Sequence, residues 1–240
     1  PTHKTENIIS DVQNALNLMQ RSINEPGEFN HTSSERVFRI SLGDISEGRI
    51  LPYLLEYINK NSPGIVIESY YTARKDIVHS LATNELNFAV DPIIPRSKDV
   101  KTQKVFSDNF VCAHRANHPL TKLKKLDLDA LLELKFINIS NRKRGPAVID
   151  TELAKLQLQR NIVLRAQHFL VTPEIVRNTD LVLVCSRSFA KKHGLNFKEL
   201  PIELPPVEQY LIWHNSDDND GSHIWMRELI AEAFREAQIT

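Results

Sequence analysis

Glycine is scarce in this chain, seven in 240 residues, and cysteine scarcer still, with two. A backbone so poor in glycine has little material for the loops that cradle nucleotide phosphates, and no Gly-rich phosphate loop is present. G-x-S-x-G and H-E-x-x-H are missing too, which removes the nucleophile elbow and the helical zinc pair. Cys112 and Cys185 each sit in an apolar, strand-like run, where buried reduced thiols of a cytosolic protein are expected and not a disulfide. Charge of one sign is also lacking: thirty basic residues stand against thirty acidic, without the basic excess of a free-standing nucleic-acid binder. No apolar run approaches the roughly 18–20 residues of a membrane span. No charged-then-apolar leader opens the chain, so a cytoplasmic protein without membrane contact is expected. The chain begins at Pro1 without a methionine, and a longer parent protein is expected.

What is present is alternation. A chain of this length holds one two-lobed domain or two small ones. "TENIISDVQNALNLMQRSI" spaces Ile9, Val12, Leu16, Met19 and Ile23 by three, four, three and four, an a/d helical seam over two heptads. Such a seam is too short to hold a dimer alone; it suits the tail of a longer linker helix, or a helix packed on its own domain. "NEPGEFNHTSSER" then reads as a linker. Residues 37–91 run β-α-β-α-β, with Asp44 or Ser46 as cap of the first helix, which "NSPG" ends. "KVFSDNFVCAHRANHPL" is an extended pair broken at Asn109. A second β/α alternation follows as far as "SRSFAKKHG", with Thr172 and Ser186 as helix caps. "LPIELPPVEQYLIWH" is extended, and one helix closes the chain. Two β/α units joined by two extended crossovers, near 110–115 and 205–214, form two lobes with a ligand cleft at the carboxyl ends of their strands.

Two clusters invite a metal reading. In "LIWHNSDDNDGSHIWMREL", setting Gly221 at position six of a calcium loop puts Ser216 at position one and Arg227 at position twelve. A cation there repels calcium, so the run reads as a solvated turn with Asp220 or Ser222 capping the last helix. "HRANH" places His114 and His118 four apart, but Pro119 follows and no third ligand is near, so it reads as a turn. The remaining candidates stand where strands end: Asp44 and Ser46, Thr72, Asp91 and Pro92 in the first unit, and Asn141, His168 and Phe169 in the second. Free N–H groups at the first helix start suit an acceptor, although the acid at Asp44 argues against a bare anion unless it points away. His168 beside Phe169 offers a hydrogen-bonding group and a ring face to an aromatic ligand.

Along nearly the whole chain these residues resemble the LysR-type transcriptional regulators, in their effector-binding region. The likeness runs through "FRISLGDISEGRILPYLLEYINKNSPGIVIE", "KDIVHSLATNELNFAV" and the His118-Pro119-Leu120 turn. "AQHFLVTPEIVRNTDLVLVCSRSFAKK" and the closing "LIWHNSDDNDGSHIWMREL" look like the branch responding to aromatic carboxylates and flavonoids. "TNELN" departs from the pattern: Asn84 stands where the family often has glycine, and Asn87 where it has aspartate.

The resemblance implies two Rossmann-like lobes of the type II periplasmic-binding-protein kind, an α/β fold preceded by an amphipathic linker helix. Residues 1–30 are then the linker, 37–112 with 214–240 lobe I, and 113–213 lobe II, with a winged helix-turn-helix ahead of Pro1. It implies a small-molecule inducer, an aromatic carboxylate or phenolic, shifting a homodimer or homotetramer that reads DNA through the preceding domain. No catalytic residue, metal or cofactor is expected. The competing expectation is a solute-binding protein of a transport system on the same fold; an enzyme lacks a visible nucleophile–base pair.

Overall fold

A computed structural model describes Val12, residues 29–140 and residues 145–239. The expected linker helix lies outside these apart from Val12, which is helical and exposed. The chain divides into two compact units, one built from the residues up to Phe106 and from Gln209–Ile239, the other from Ser107–Glu208. Both boundaries fall inside strands, β4 (Val100–Asp108) and β10 (Val207–His214).

The first unit contains β1 (Val37–Ser41), α1 (Asp44–Asn61), β2 (Val66–Tyr70), α2 (Arg74–Ala82) and β3 (Phe88–Asp91), completed by most of β4 and β10 and by α7 (Gly221–Ile239). Its sheet has the order β2-β1-β3-β10-β4; β1 is parallel to β2 and β3, and β10 runs antiparallel to β3. Alternation decides β1: Phe38 and Ile40 are fully buried, while Arg39 turns outward and pairs with Glu68 on β2 at 2.8 Å. Helix α1 buries Ile50, Leu54 and Ile58 one turn apart and packs beside α7, which buries Met226, Ile230, Ala233 and Phe234. Ser62 closes α1 by donating its N–H to Ile58 O. Asn84 adopts a left-handed φ of 59°, a conformation its short polar side chain tolerates where glycine is the usual occupant. Asn87 is buried and bridges β1 twice, accepting Arg39 N at its Oδ1 and donating its own N–H to Arg39 O, both at 2.8 Å.

The second unit contains β5 (Phe110–His114), α3 (Leu128–Leu132), β6 (Lys135–Ile139), α4 (Val148–Lys155), β7 (Asn161–Ala166), α5 (Thr172–Asn178), β8 (Val182–Ser186), α6 (Arg187–Lys192) and β9 (Asn196–Glu199). Its sheet runs β7-β6-β8-β5-β9, with β6 parallel to β7 and β8, and β5 antiparallel to β8 and β9. Leu131, Phe136, Leu153 and Val182 make its core. Directly opposed residues share a face of a sheet and successive ones alternate. Cys112 opposes Val184 and Cys185 opposes Val111, so the two thiols point to opposite faces and no disulfide joins them. Burial pushes the Cys112 thiol up to about 12 and raises Cys185 as well.

Two helix starts differ from the sequence expectation. Neither Asp44 nor Ser46 caps α1: the cap is Gly43, and Asp44 already lies in the helix, its Oδ1 accepting Ile45 N at 3.0 Å. Thr172 likewise lies within α5, and its hydroxyl turns back to donate to Phe169 O at 2.6 Å. Ser186 caps α6 as expected, accepting Phe189 N. Strand β9 has no apolar alternation to announce it; it exists by pairing with β5.

Arg160 is a deeply set charge of the second unit, with its side chain 2% exposed. Its Nε donates to Asp150 at 2.6 Å, its Nη2 donates to Asn138 Oδ1 at 2.8 Å, and its plane lies over the Phe136 ring. Burial pushes the Asp150 carboxyl up, but the Arg160 hydrogen bond, the Ala147 N–H and the nearby arginine charges outweigh it and hold the group below its ordinary value. Removing one partner strands the other charge. Asp150→Ala is therefore expected to destabilise the fold by about 3 kcal/mol; a urea melt showing less than about 1 kcal/mol lost would mean the arginine finds water instead.

Candidate functional site

In each unit the first parallel strand of the alternation is flanked by the other two, β2-β1-β3 in one and β7-β6-β8 in the other. The connection leaves the central strand to one side and later returns on the other, and ligands of open α/β sheets bind at the carboxyl edge of such a reversal.

At this edge of the first unit, Ser41 ends β1 and its buried hydroxyl accepts Thr72 N at 2.9 Å, fixing the turn after β2 against the end of β1. Ser46 lies in the first turn of α1, 94% buried by its 6% exposure, and its hydroxyl engages no partner among the described residues. The Thr72 hydroxyl is also unengaged among the described residues, since only its backbone N–H is used. A side chain at Gly43 would meet no atom within 4 Å, so the approach to this helix end is open. Glu47 reaches sideways to accept the Ser69 hydroxyl at 2.6 Å, tying α1 to β2.

Asp91 is not free to meet a ligand cation. Its Oδ1 takes Arg74 Nε at 2.6 Å and Ile93 N at 2.8 Å, and its side chain is 10% exposed. Pro92 beside it is exposed. Sequence reasoning missed Arg74, although a signal was there. A cation in the first turn of a helix opposes the helix dipole and calls for a nearby anion. It also missed Ser41 and the exposed Tyr70, Ile93 and Ile94, which follow or end strands at this edge.

In the second unit, Asn141 lies outside the described residues; Ser140 before it donates its N–H to Ala166 O. His168 is exposed and makes no hydrogen bond or ion pair among the described residues. Phe169 is half-buried, packed edge-on against Phe189 at 6.0 Å, and Leu170 and Val171 after it are exposed. The end of β7 thus presents an imidazole and apolar surface side by side in sequence.

Neither metal reading gains support. The acidic turn is closed by an internal cation: Arg227 donates to Asp217 O and Asp218 O, and stacks on Trp213 at 4.6 Å, while Trp213 donates to Asp218 Oδ1. Asp220 caps α7 through Ser222 N and His223 N. His118 Nδ1 accepts Leu120 N, which caps the turn and leaves Nε2 to donate to Asp180 O. Among the described residues no group of three or more potential metal ligands assembles.

Residues 31–235 match the LysR substrate binding domain, and the chain belongs to that family. It is the effector-binding domain of a LysR-type transcriptional regulator, which sets aside the solute-transport reading. The transcriptional activator NagR of Ralstonia sp is 25% identical over 241 residues, covering 99% of this chain and 80% of the relative. The regulatory domain of MexT, a transcriptional activator in Pseudomonas aeruginosa, superposes with a TM-score of 0.71 at 23% identity, covering 84% of this chain and 99% of that one. The effector binding domain of BenM gives a TM-score of 0.66 at 15% identity, covering 85% and 92%. No helix among the described residues is long and apolar enough to cross a membrane.

One member of the histidine turn is sensitive to acid. His114 is 1% exposed; its Nδ1 donates to Arg115 O, leaving a buried Nε2 without a partner among the described residues. Burial pulls its pKa below the ordinary value, and His118 and Lys198 add to that, with the Arg115 carbonyl opposing. The folded state therefore holds this proton more weakly than the unfolded one. The resulting stability is complete above the unfolded value of about 6.5 and is lost as pH falls below it. Urea melts at about pH 7.5 and 5.5 are expected to show a steeper loss for the wild type than for His114→Gln; equal losses would exclude His114 as the source.

Proposed function

We propose that the effector is an aromatic carboxylate or phenolic, with the hydroxyls of Ser46 and Thr72, and His168 with the Phe169 ring, as candidate contacts, each at the carboxyl edge of its own unit's sheet. The observation that carries this is Ser46: a residue only 6% exposed whose hydroxyl has no partner among the described residues, at the open start of a long helix on the carboxyl edge of the sheet. Asp44 stands two residues earlier in the same turn and accepts Ile45 N, so its charge is directed in part into the helix. Asp91 and Pro92 shape the edge without spending charge on the ligand, and Asn141 completes the set by its position after β6. The benzoate bound as effector by BenM supports the aromatic class. Binding that favours one conformation shifts a homodimer or homotetramer in the cytoplasm, and DNA contacts through a preceding winged helix-turn-helix change with it. The protein is a regulator and not an enzyme.

A thermal-shift and calorimetric panel of benzoate, phenol and a flavone tests this. A ligand at about 100 times its Kd adds about 2.7 kcal/mol, which for this length raises Tm by roughly 5–10 °C. His168→Ala and Ser46→Ala are each expected to weaken binding about tenfold with the ligand-free Tm unchanged, the cost of one lost hydrogen bond to a ligand. An unaltered Kd in either variant removes that residue from the site, and silence across the panel sinks the aromatic class.

A further inference from the structure

The residues just ahead of β1 are fastened to the first unit at three separate places. His31 stacks on Trp225 of α7, with centroids 5.2 Å apart and planes within 9°, and its Nδ1 meets the Ser62 hydroxyl at the end of α1 at 2.8 Å. Phe29 packs on the same indole at 5.5 Å, and Tyr57, in the last part of α1, reaches it at 6.4 Å. Arg36 pairs with Asp220 at 3.3 Å, bonds the Ser222 hydroxyl, and lies over the Phe38 ring. The fit leaves no slack. A Cβ on Gly64 would stand 2.7 Å from Ser34 O, and one on Gly221 would stand 3.3 Å from Phe29 Cβ.

Helix α1 links this fastening to the candidate effector site. Ser46 lies in its first turn, Tyr57 near its end and Ser62 caps it. Eighteen helical residues span roughly 27 Å; Pro52 removes one main-chain hydrogen bond midway, and the buried Ile50, Leu54 and Ile58 on either side of it hold the two halves against one core, so that they move together. A ligand that engages the first turn therefore acts on the other end of the same lever.

We infer that residues 29–36 form a strap that transmits displacement of α1, through the Trp225 cluster and the Arg36–Asp220 pair, to the chain ahead of Phe29. The ligand half of this inference rests on the effector reading above; the mechanical half does not. Among the described residues, no hydrogen bond, ion pair or ring contact joins the strap or Trp225 to Ser46, Thr72, His168 or Phe169, so loosening the strap separates coupling from affinity.

Hydrogen exchange on this 240-residue chain tests it, with benzoate and phenol as probes and calorimetric Kd measured alongside. In the wild type, ligand is expected to slow exchange in both α1 and residues 29–36 by about fivefold or more, the lower range of coupling between sites. In His31→Ala/Arg36→Ala, α1 still slows, residues 29–36 do not, and Kd is unchanged within error. Gly64→Ala, which displaces Ser34 without removing a side chain, is expected to give the same split if the double variant folds poorly. The strap is overturned if residues 29–36 still respond in both variants, or if wild-type α1 responds while residues 29–36 do not. If neither probe binds the wild type, it is the effector class that fails. Ser46→Trp then forces the first turn of α1 directly: altered exchange at residues 29–36 supports the strap, and unaltered exchange overturns it.

Discussion

Parallel strands cannot be joined by tight turns, and their crossovers are almost always right-handed. Nearly everything about this protein depends on that constraint, applied twice. It lets a crossover helix begin where a parallel strand ends, so that α1 starts beside the ends of β2 and β3, and the turn after β7 lies beside the end of β6. Helix N-termini and strand carboxyl ends then share one edge of each sheet. The chain does not need a special binding loop, and with so few glycines it is not equipped to build one. On the proposed reading, short polar residues at the ends of elements make the ligand contacts.

Charge is balanced within the structure as well as in the composition. Arg160 answers Asp150, Arg74 answers Asp91, Arg36 answers Asp220, and Arg227 satisfies the carbonyls of an acidic turn. Arg49, 7% exposed, lies with its guanidinium 4.1 Å from the Phe106 ring centroid. In Asp220, burial pushes the carboxyl up, yet the Ser222 hydrogen bond, the Arg36 charge and the His223 N–H outweigh it and hold the group at about 2. Several arginines that would otherwise mark an anion surface are thus used in holding elements together. On the proposed reading, hydroxyls, the exposed His168 imidazole and apolar rims carry recognition.

Most of the alternation was legible because the parallel strands are short apolar runs bounded by turn residues, and the longer helices repeat apolar positions at helical spacing. Phe38 and Ile40 declare β1, and Ile50, Leu54 and Ile58 declare α1. Strand β9 was not legible, since "NFKE" offers one apolar residue and owes its form to its neighbour. Helix caps were legible only where the side chain faces its own helix: Ser186 and Asp220 do, while Thr172 bonds backward and Gly43 displaces Asp44 and Ser46. The candidate site was legible as positions and not as partners. That Asp91 spends its carboxylate on Arg74, and that Ser41 holds Thr72, follow from register between strands that no linear spacing contains. The Trp225 cluster joins residues nearly two hundred positions apart and had no local signature.

The placement of the two thiols has a practical side. Cys112 and Cys185 are enclosed on opposite faces of one sheet, with their pKa values raised by burial, so the folded chain offers little thiolate to an alkylating reagent or to air. A cysteine engineered at any exposed position, such as in the segment ahead of β1, becomes the one nucleophile a maleimide dye meets under native conditions. The wild-type background serves as it stands for site-specific fluorescence or spin labelling.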